Sequence, residues 1–332
     1  MFKRPLDIGL DLDNGRARLA WVRKRRGEIE LMGFKSVEIP PGLMEMGIMT
    51  DPLRLGAELR DWVRDLNLVG GRVTVAVPGP QVYMRRIAMP WLRWGELKQA
   101  VYFQAYEFLP IPVEETVMDI CPLHRYQDSQ GKKVELFFTA VRRQQVDDMV
   151  LACTSAGLKP AAMEIEPLAV QRAWGGDPAK TIILLQISSA NPYLTIFSRG
   201  VPIYHRSLNW GDPMAAPSSR RENPALVREE AEEKDRPGFG LISGLIAQVK
   251  DAAAYCSRHN GDGGMRPEAL VLDGSVGIAG IETDLAQGLD LPVELAGQQA
   301  ASRIKMPDNM TEQQRYELEQ GFALALGLAM RR

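Results

Sequence analysis

Two strand–turn–strand units of similar pattern constrain this chain more than any other feature of its sequence. The first runs from Gly9 to Ala20 around the turn Asp13-Asn14-Gly15. The second runs from Thr181 to Phe197, about 170 residues later, around Ser188-Ser189-Ala190-Asn191. An apolar stretch before each polar turn indicates a buried strand that enters a hairpin. The repeat therefore predicts two related α/β lobes, each of which begins with a hairpin.

Composition and charge exclude several classes of function. The 332 residues include 40 basic and 42 acidic side chains, so the net charge of −2 gives no overall field that would attract nucleic acid. No stretch approaches the roughly 18 apolar residues of a membrane span, and the N-terminus lacks the apolar core of a signal peptide. We expect a cytoplasmic protein that binds no nucleic acid and does not insert into a membrane.

Cysteine, histidine and serine offer no catalytic or metal-binding pattern. The three cysteines lie far apart without a CxxC motif, and the three histidines lack metal-ligand spacing. No serine lies in a G-x-S-x-G turn. We therefore predict no metal site and no catalytic residues. The cysteines are expected to be reduced, buried thiols: Cys121, Cys153 and Cys256.

The order of predicted elements divides the chain into three regions. Alternating strands, a helix capped by Asp51-Pro52 and a buried strand at Val73–Val77 give an α/β order. A strand, a helix, a hairpin and a second helix then form a compact insert. We expect a first lobe at 1–85, completed by 160–180 and 312–332, an insert at 86–159, and a second lobe at 181–311. The order of the charged segment 212–238 stays open.

The predicted helix from Trp94 to Tyr106 is rich in aromatic residues. Its helical spacing favours burial of most of them in the core of the insert. Exposure of Trp91 and Trp94, beside Arg86 and Arg93, would instead make an anchor for a partner. We expect burial.

Five short patterns occur along the chain in the order found in one known family. They are Glu38–Leu43 with Gly47–Pro52, Val75–Gly79 with Arg86–Pro90, Tyr106–Glu115, Ala156–Pro160 and Gly327–Arg331. Together they resemble PilM, the cytoplasmic actin-like component of type IV pilus assembly, and more distantly FtsA. The resemblance implies an actin-like (ribonuclease H-like) two-lobe fold with a small inserted αβ domain of the FtsA type. It also implies Mg-ATP between the lobes.

The first phosphate hairpin of the family is only partly retained. The resemblance places Asp11 at the conserved acid and Arg18 at the family's lysine, with Asn14 and Gly15 in the turn. Asp13 replaces a glycine and adds a negative side chain where a triphosphate would lie, which is unfavourable unless a cation intervenes.

The second hairpin departs further from the family pattern. Gln186 stands where the acid belongs, and Ser188, followed by Ser189, replaces a glycine. In the adenosine turn Gly274 is kept and Ser275 replaces the second glycine. We therefore expect a weakened or abolished nucleotide site, with no cofactor assigned and ATP and Mg²⁺ as candidates. From spacing alone, both turns are ordinary hairpin turns.

The resemblance also implies a partner. In PilM relatives a groove between the first lobe and the insert captures the N-terminal tail of PilN, an inner-membrane protein, which would bring this protein to the inner face of the cytoplasmic membrane. By family position we expect Met89→Asp to abolish peptide capture without unfolding. The predicted groove residues are Pro78, Arg86, Met89, Pro90, Phe108, Pro110 and Pro112.

The resemblance and the altered hairpins favour a non-catalytic cytoplasmic adaptor of a type IV pilus or related secretion machine, and two alternatives stay open beside it. In a slow actin-like ATPase, Asp11 would orient metal and water and Arg18 would neutralise phosphate. The third candidate is the cytoplasmic part of a GspL-like type II secretion protein. Such proteins normally continue into a membrane helix, and the end of this sequence at Arg332 favours the PilM form.

Overall fold

The computed structural model describes residues 6–13, 15–25, 27–45, 47–78, 82–187, 192–209, 239–259, 266–274 and 280–331. In chain order the elements are β1 (Asp7–Asp13), β2 (Arg16–Arg25), β3 (Glu28–Glu38), β4 (Met44–Glu45), β5 (Ile48–Met49), α1 (Pro52–Asp65), β6 (Arg72–Val77), β7 (Val82–Pro90), α2 (Trp94–Ala105), β8 (Thr116–Asp128), β9 (Gly131–Arg142), α3 (Arg143–Ser155), β10 (Lys159–Ile165), α4 (Glu166–Trp174), β11 (Ile182–Gln186), β12 (Tyr193–Ser198), β13 (Val201–Ser207), α5 (Phe239–His259), β14 (Ala269–Asp273), α6 (Ile281–Leu289), β15 (Val293–Leu295), α7 (Ala296–Ser302), α8 (Glu312–Gly321) and α9 (Ala323–Ala329). The charged segment 212–238 lies outside the described residues.

The two lobes repeat one sheet topology. The first sheet has the order β10-β6-β1-β2-β3 and the second, written in the same direction, has β15-β14-β11-β12-β13. In chain order, the first three strands of each sheet pair with antiparallel neighbours. The remaining two strands of each sheet run parallel to the first. The prediction of two related α/β lobes that begin with hairpins is therefore confirmed.

Helices α4 and α9 pack between the lobes and join their cores. One apolar cluster contains Ala20 and Val22 of the first sheet, Leu184 and Val271 of the second, and nearly all of α9. Small residues permit this contact. A methyl group added to Gly9 of β1 would lie 1.9 Å from the Ala325 carbonyl oxygen of α9. The C-terminal helical region is interrupted at Phe322, where α8 ends and α9 begins.

The insert is smaller than the sequence indicated. Strands β7, β9 and β8 form its three-stranded sheet, which α2 covers. Helix α3 instead packs on α1 of the first lobe, where the added methyl group of a Gly56 variant would lie 2.6 Å from the Ala152 carbonyl oxygen. Met149, Ala152 and Cys153 accordingly belong to the core of the first lobe. On these contacts we propose boundaries for the insert at 82–142 in place of 86–159.

The expected burial of the insert's aromatic residues is wrong for four of them. Tyr102 is half-buried. Leu97, Val101 and Ala105 fill the buried face of α2, so the aromatic side chains at the intervening positions face solvent. The exposed fractions are 46% for Trp91, 47% for Trp94, 61% for Phe103 and 51% for Tyr106.

The described helices include none that is both long enough and apolar enough to cross a membrane.

We predict that Gly9→Ala destabilises the fold by at least about 2 kcal/mol, since its methyl group would overlap the backbone of α9 and force the two lobes' shared core to shift. Urea denaturation measures the change. The matched control is Gly95→Ala on α2, where an added methyl group meets no atom within 4 Å. Equal stability of both variants would contradict the assigned packing of α9 on β1.

Candidate functional site

The first half of the candidate cleft lies where β1 and β2 approach their turn. Asp11 and Arg18 are register partners in this hairpin. The Arg18 Nη1 atom donates a hydrogen bond to Asp11 Oδ2 at 3.0 Å, and the Asp11 side chain is 7% exposed. The sequence predicted both residues as parts of one site, and the structure brings them into direct contact.

The second half lies at the ends of β11 and β14. Gln186 and Asp273 are register partners on these parallel strands. The Gln186 Nε2 atom donates a hydrogen bond to Asp273 Oδ2 at 3.2 Å. Gln186 is 4% exposed, and its Oε1 atom is buried without a hydrogen-bond partner. A buried amide oxygen without a hydrogen-bond partner lowers the stability of the fold. It marks a place where a hydrogen-bond donor or a cation would be stabilised.

The two halves interact electrostatically across the cleft. Burial raises the pKa of Asp11 to about 6, and Asp13 adds to the increase, while Arg18 offsets part of it. Burial also raises the pKa of Asp273 to about 6, and the charge of Asp11 raises it further. Burial acts to lower the pKa of Arg18, but Asp11, Asp13 and Asp273 outweigh burial and raise it. The cleft therefore holds an excess of buried negative charge around one guanidinium.

Asp273 is the cleft residue that the sequence interpretation missed. That interpretation used the segment Asp273-Gly274-Ser275 only as an adenosine turn. The available signal was the buried strand Ala269–Leu272, which runs parallel to β11 and ends in an acid. Asp273 thus places a carboxylate on the strand next to β11, in register with Gln186.

Glycine is required by the backbone at two of the predicted turn positions. Gly15 has φ +80° and Gly274 has φ +79°, a region that favours glycine. A methyl group on Gly274 would also lie 2.4 Å from the Ile187 carbonyl oxygen. Asp13 is half-buried at the end of β1. Asn14, Ser188, Ser189 and Ser275 lie outside the described residues.

A second candidate site is a groove between the first lobe and the insert. Its volume is about 480 Å³. Two sheet edges border it, since β8 is the last strand of the insert sheet and β10 is the last strand of the first lobe. The lining is mainly apolar, and α3 closes one side. The residues lining the groove are Val77, Val117–Cys121, Phe137, Thr139–Val141, Val146, Val150, Pro160–Ile165, Leu168 and Arg331.

The residues predicted to line the partner groove lie elsewhere. Met89 is 5% exposed in the core of the insert, so Met89→Asp would destabilise the insert and cannot test capture alone. Arg86 pairs with Glu135. Phe108 lines a separate cavity of about 270 Å³ that also includes His205. Pro78 is buried, whereas Pro90, Pro110 and Pro112 are exposed. Sequence order could not show which sheet edges face each other across the groove.

Comparison with known proteins identifies the family. The profile of the type IV pilus assembly protein PilM matches residues 9–238. The chain belongs to the PilM family. A structure described as a PilM-PilN type IV pilus biogenesis complex is similar at 22% identity with a TM-score of 0.79, covering 98% of this chain and 97% of that chain.

Two more distant structures are also similar to this PilM-family chain. The ethanolamine utilization protein EutJ from Carboxydothermus hydrogenoformans has a TM-score of 0.50 at 12% identity, with coverage of 99% and 90% of the two chains. A Bacteroides thetaiotaomicron protein described as having an actin-like ATPase fold has a TM-score of 0.45 at 9% identity, with coverage of 88% and 90%. The predicted actin-like two-lobe fold is confirmed.

The oxygen atoms and negative charges of the cleft disfavour a bare phosphate in this PilM-family protein. Asp11, Asp273 and the unpartnered Gln186 Oε1 offer oxygen atoms, the ligand type that Mg²⁺ prefers. Arg18 is already bonded to Asp11, and three carboxylates act on it. A triphosphate would therefore need Mg²⁺ to offset repulsion. Within the described ranges, no group of three or more His, Cys, Asp or Glu side chains is placed to hold a metal ion.

We predict that ionisation of Asp273 destabilises the fold as pH rises. Because its pKa rises from 3.8 to about 6 on folding, the native state binds its proton more tightly, and the free energy of unfolding falls as pH rises from about 4 through about 6. Asp273→Asn removes this charge while its Oδ1 atom still accepts from Gln186. We expect the variant to be more stable than the parent at pH 8 by on the order of 2 kcal/mol, and equal to it near pH 4.

Urea titrations at a series of pH values measure this difference. The control is Asp128→Asn, since Asp128 is an exposed acid whose pKa is lowered by Lys133. That variant should show no gain at pH 8. A parent-minus-variant difference at Asp273 that does not change with pH would contradict the assigned electrostatics.

Proposed function

We propose that this PilM-family protein is a cytoplasmic adaptor of type IV pilus assembly that captures the N-terminal tail of a PilN-like inner-membrane protein. The capture site is the groove between β8 and β10. The observation that carries the proposal is the pair of sheet edges that face one apolar cavity. Pairing of PilM with PilN in the similar structure supports the class of partner.

Backbone hydrogen bonding explains why an extended tail would bind there. An edge strand presents N–H and C=O groups that have no neighbour in its own sheet. A peptide that lies along β8 or β10 would supply the missing partners by strand addition, while its alternate side chains enter the cavity. This mode of binding needs no bond-breaking groups in the protein.

The lining of the groove indicates what kind of tail fits. Val117, Phe137 and Ile165 form apolar walls that suit apolar side chains of the tail. Glu164 lies at the groove but is neutralised, because Arg172 and Arg331 both pair with it. Asp119 is an exposed acid on β8 that would attract a basic residue of the tail. We infer a tail with alternating apolar residues and a positive charge.

We propose further that the cleft is a degenerate nucleotide site that does not sustain turnover. The side chain that would neutralise phosphate, Arg18, already bonds Asp11, and Gln186 occupies the position of the second acid. Peptide capture at the groove would then proceed without ATP, and the protein would act as a pseudo-ATPase scaffold held at the membrane by its partner.

A second candidate function has one observation in its favour. Asp273 offers a second buried carboxylate in register with Gln186. A slow ATPase could use Asp11 and Asp273 to organise Mg²⁺, with Arg18 released from Asp11 to meet the phosphates. Loss of the acid at Gln186 would then be compensated by the neighbouring strand.

We predict that a bound tail protects Cys121 from alkylation. The expected burial of Cys121 is wrong, because this residue is exposed and lines the groove. Cys153 and Cys256 are buried, and burial raises their pKa to about 12 and about 11, so they should not react in the folded protein. A synthetic peptide that copies the N-terminal tail of the accompanying PilN-like protein should slow maleimide labelling of Cys121. Cys121→Ser should abolish labelling.

A matched pair of variants tests the groove directly. Ala161 is exposed on β10 in the groove, and Ala88 is exposed on β7 away from it. We expect Ala161→Arg to weaken tail binding by at least about tenfold because the side chain fills the cavity, and Ala88→Arg to leave it unchanged. Isothermal titration measures both. Equal affinities of the two variants would exclude this groove as the capture site.

We predict no detectable heat when Mg-ATP is titrated into the folded protein. Binding that is abolished by Asp11→Ala would contradict the degenerate cleft and favour the ATPase. In that case Asp273→Asn should weaken the binding of ATP with Mg²⁺ but not that of ATP in EDTA, since its role would be to organise the metal. Peptide capture is measured in a separate experiment. The proposal for the groove and the proposal for the cleft can therefore each fail without deciding the other.

A further inference from the structure

The insert carries an aromatic and basic surface at the end of its sheet that does not line the groove. It consists of Trp91, Arg93, Trp94 and Lys98 around the start of α2, together with Arg125 of β8 and Lys132 of β9, all exposed. We name these six residues the basic tip. A backbone hydrogen bond of 3.0 Å from Trp91 N to the Lys132 carbonyl oxygen fixes the start of α2 against the β8–β9 hairpin.

The basic side chains of the tip lie on its tryptophan rings. The Arg125 guanidinium lies 4.3 Å and Lys132 Nζ lies 5.5 Å from the ring centre of Trp91. Lys98 Nζ lies 5.1 Å from the ring centre of Trp94. The tip is therefore held as a compact set of rings and cations while nearly half of each tryptophan faces solvent.

Acids near the tip are engaged by other groups. Glu96 accepts a hydrogen bond from the Arg93 backbone N–H. Asp128 pairs with Lys133 at 2.8 Å, and Glu135 pairs with Arg86. Among the residues that the structure describes, no acid forms an ion pair with Arg93, Lys98, Arg125 or Lys132, although the whole chain has a net charge of −2. The local field is positive and favours an anionic partner.

The exposure of the tip's tryptophan rings favours a flat anionic surface over a peptide as that partner. Neither the groove nor the cavity at Phe108 includes a residue of the tip. A peptide ligand needs a concave slot that buries its side chains. Exposed tryptophan rings surrounded by lysine and arginine suit a partner surface with a negatively charged outer layer and an apolar interior.

We propose that the basic tip binds the anionic surface of a phospholipid bilayer. The rings of Trp91 and Trp94 would enter the headgroup region, where tryptophan is favoured, while Arg93, Lys98, Arg125 and Lys132 contact lipid phosphates. Each such cation contributes about fivefold to partitioning, so four cations give weak, salt-sensitive binding. The inference depends on the tip alone and not on capture of a PilN-like tail.

Vesicle flotation with the full-length protein tests the proposal. We expect the protein to float with vesicles of phosphatidylcholine and phosphatidylglycerol and to stay behind with phosphatidylcholine alone. High salt should release it, because screening weakens surface attraction. Failure to float with the anionic vesicles at low salt would overturn the proposal.

Variants of exposed residues separate the tip from nonspecific attraction. The double variants Trp91→Ala/Trp94→Ala and Lys98→Glu/Arg125→Glu should each reduce partitioning by more than about tenfold. Tyr316→Ala and Arg54→Glu are matched controls on exposed side chains of other elements and should float like the parent. Unchanged flotation of the tip variants would overturn the proposal. So would tip-dependent binding of polyglutamate in a protein that does not float, since that result assigns the tip to an acidic protein segment.

Discussion

Close packing of α9 against β1 holds the two lobes in one frame. Gly9 and Gly327 allow this because an added methyl group at either position would lie 1.9 Å from a backbone oxygen, of Ala325 and Ala169 respectively. A contact this close leaves no room for a side chain and joins the first sheet to α9 and α4. The cleft and the groove are both built on these elements, since β1 carries Asp11 and β10 leads into α4.

In the cleft, the amide of Gln186 determines how the neighbouring Asp273 can be buried. With an acid at Gln186, a second carboxylate at its register partner would be strongly repelled. An amide there instead donates to Asp273 and permits that carboxylate to be buried. In this arrangement the Gln186 Oε1 atom has no hydrogen-bond partner, and the pKa values of Asp11 and Asp273 are raised. Gln186 and Asp273 therefore have to be considered together. A motif comparison along one hairpin cannot do this, because the two residues lie on different strands.

Local patterns predicted the elements well but not the surfaces between them. The hairpin of β1 and β2 and the repeat at β11 and β12 followed from spacing within a short segment, whereas Asp11 and Arg18 were assigned to one site by the family resemblance. The groove depends on which edges β8 and β10 present, and this is decided by strand order across the whole chain. The exposure of Trp91 and Trp94 was missed for a similar reason. Spacing on α2 identifies two faces, whereas burial depends on what covers them.

The groove and the cleft are linked through contacts that need no ligand. Glu164, which lines the groove, is bonded by Arg172 of α4, and Arg172 Nη1 donates to the Gly327 carbonyl oxygen at 2.8 Å. Gly327 belongs to α9, which packs on β1 and so positions the strand that carries Asp11. Because this chain of contacts is made by groups of the protein itself, the packing of α4 and α9 fixes the walls of the groove. A tail that adds to β8 or β10 would meet a surface already formed, so its ordering cost falls on the peptide and not on the protein.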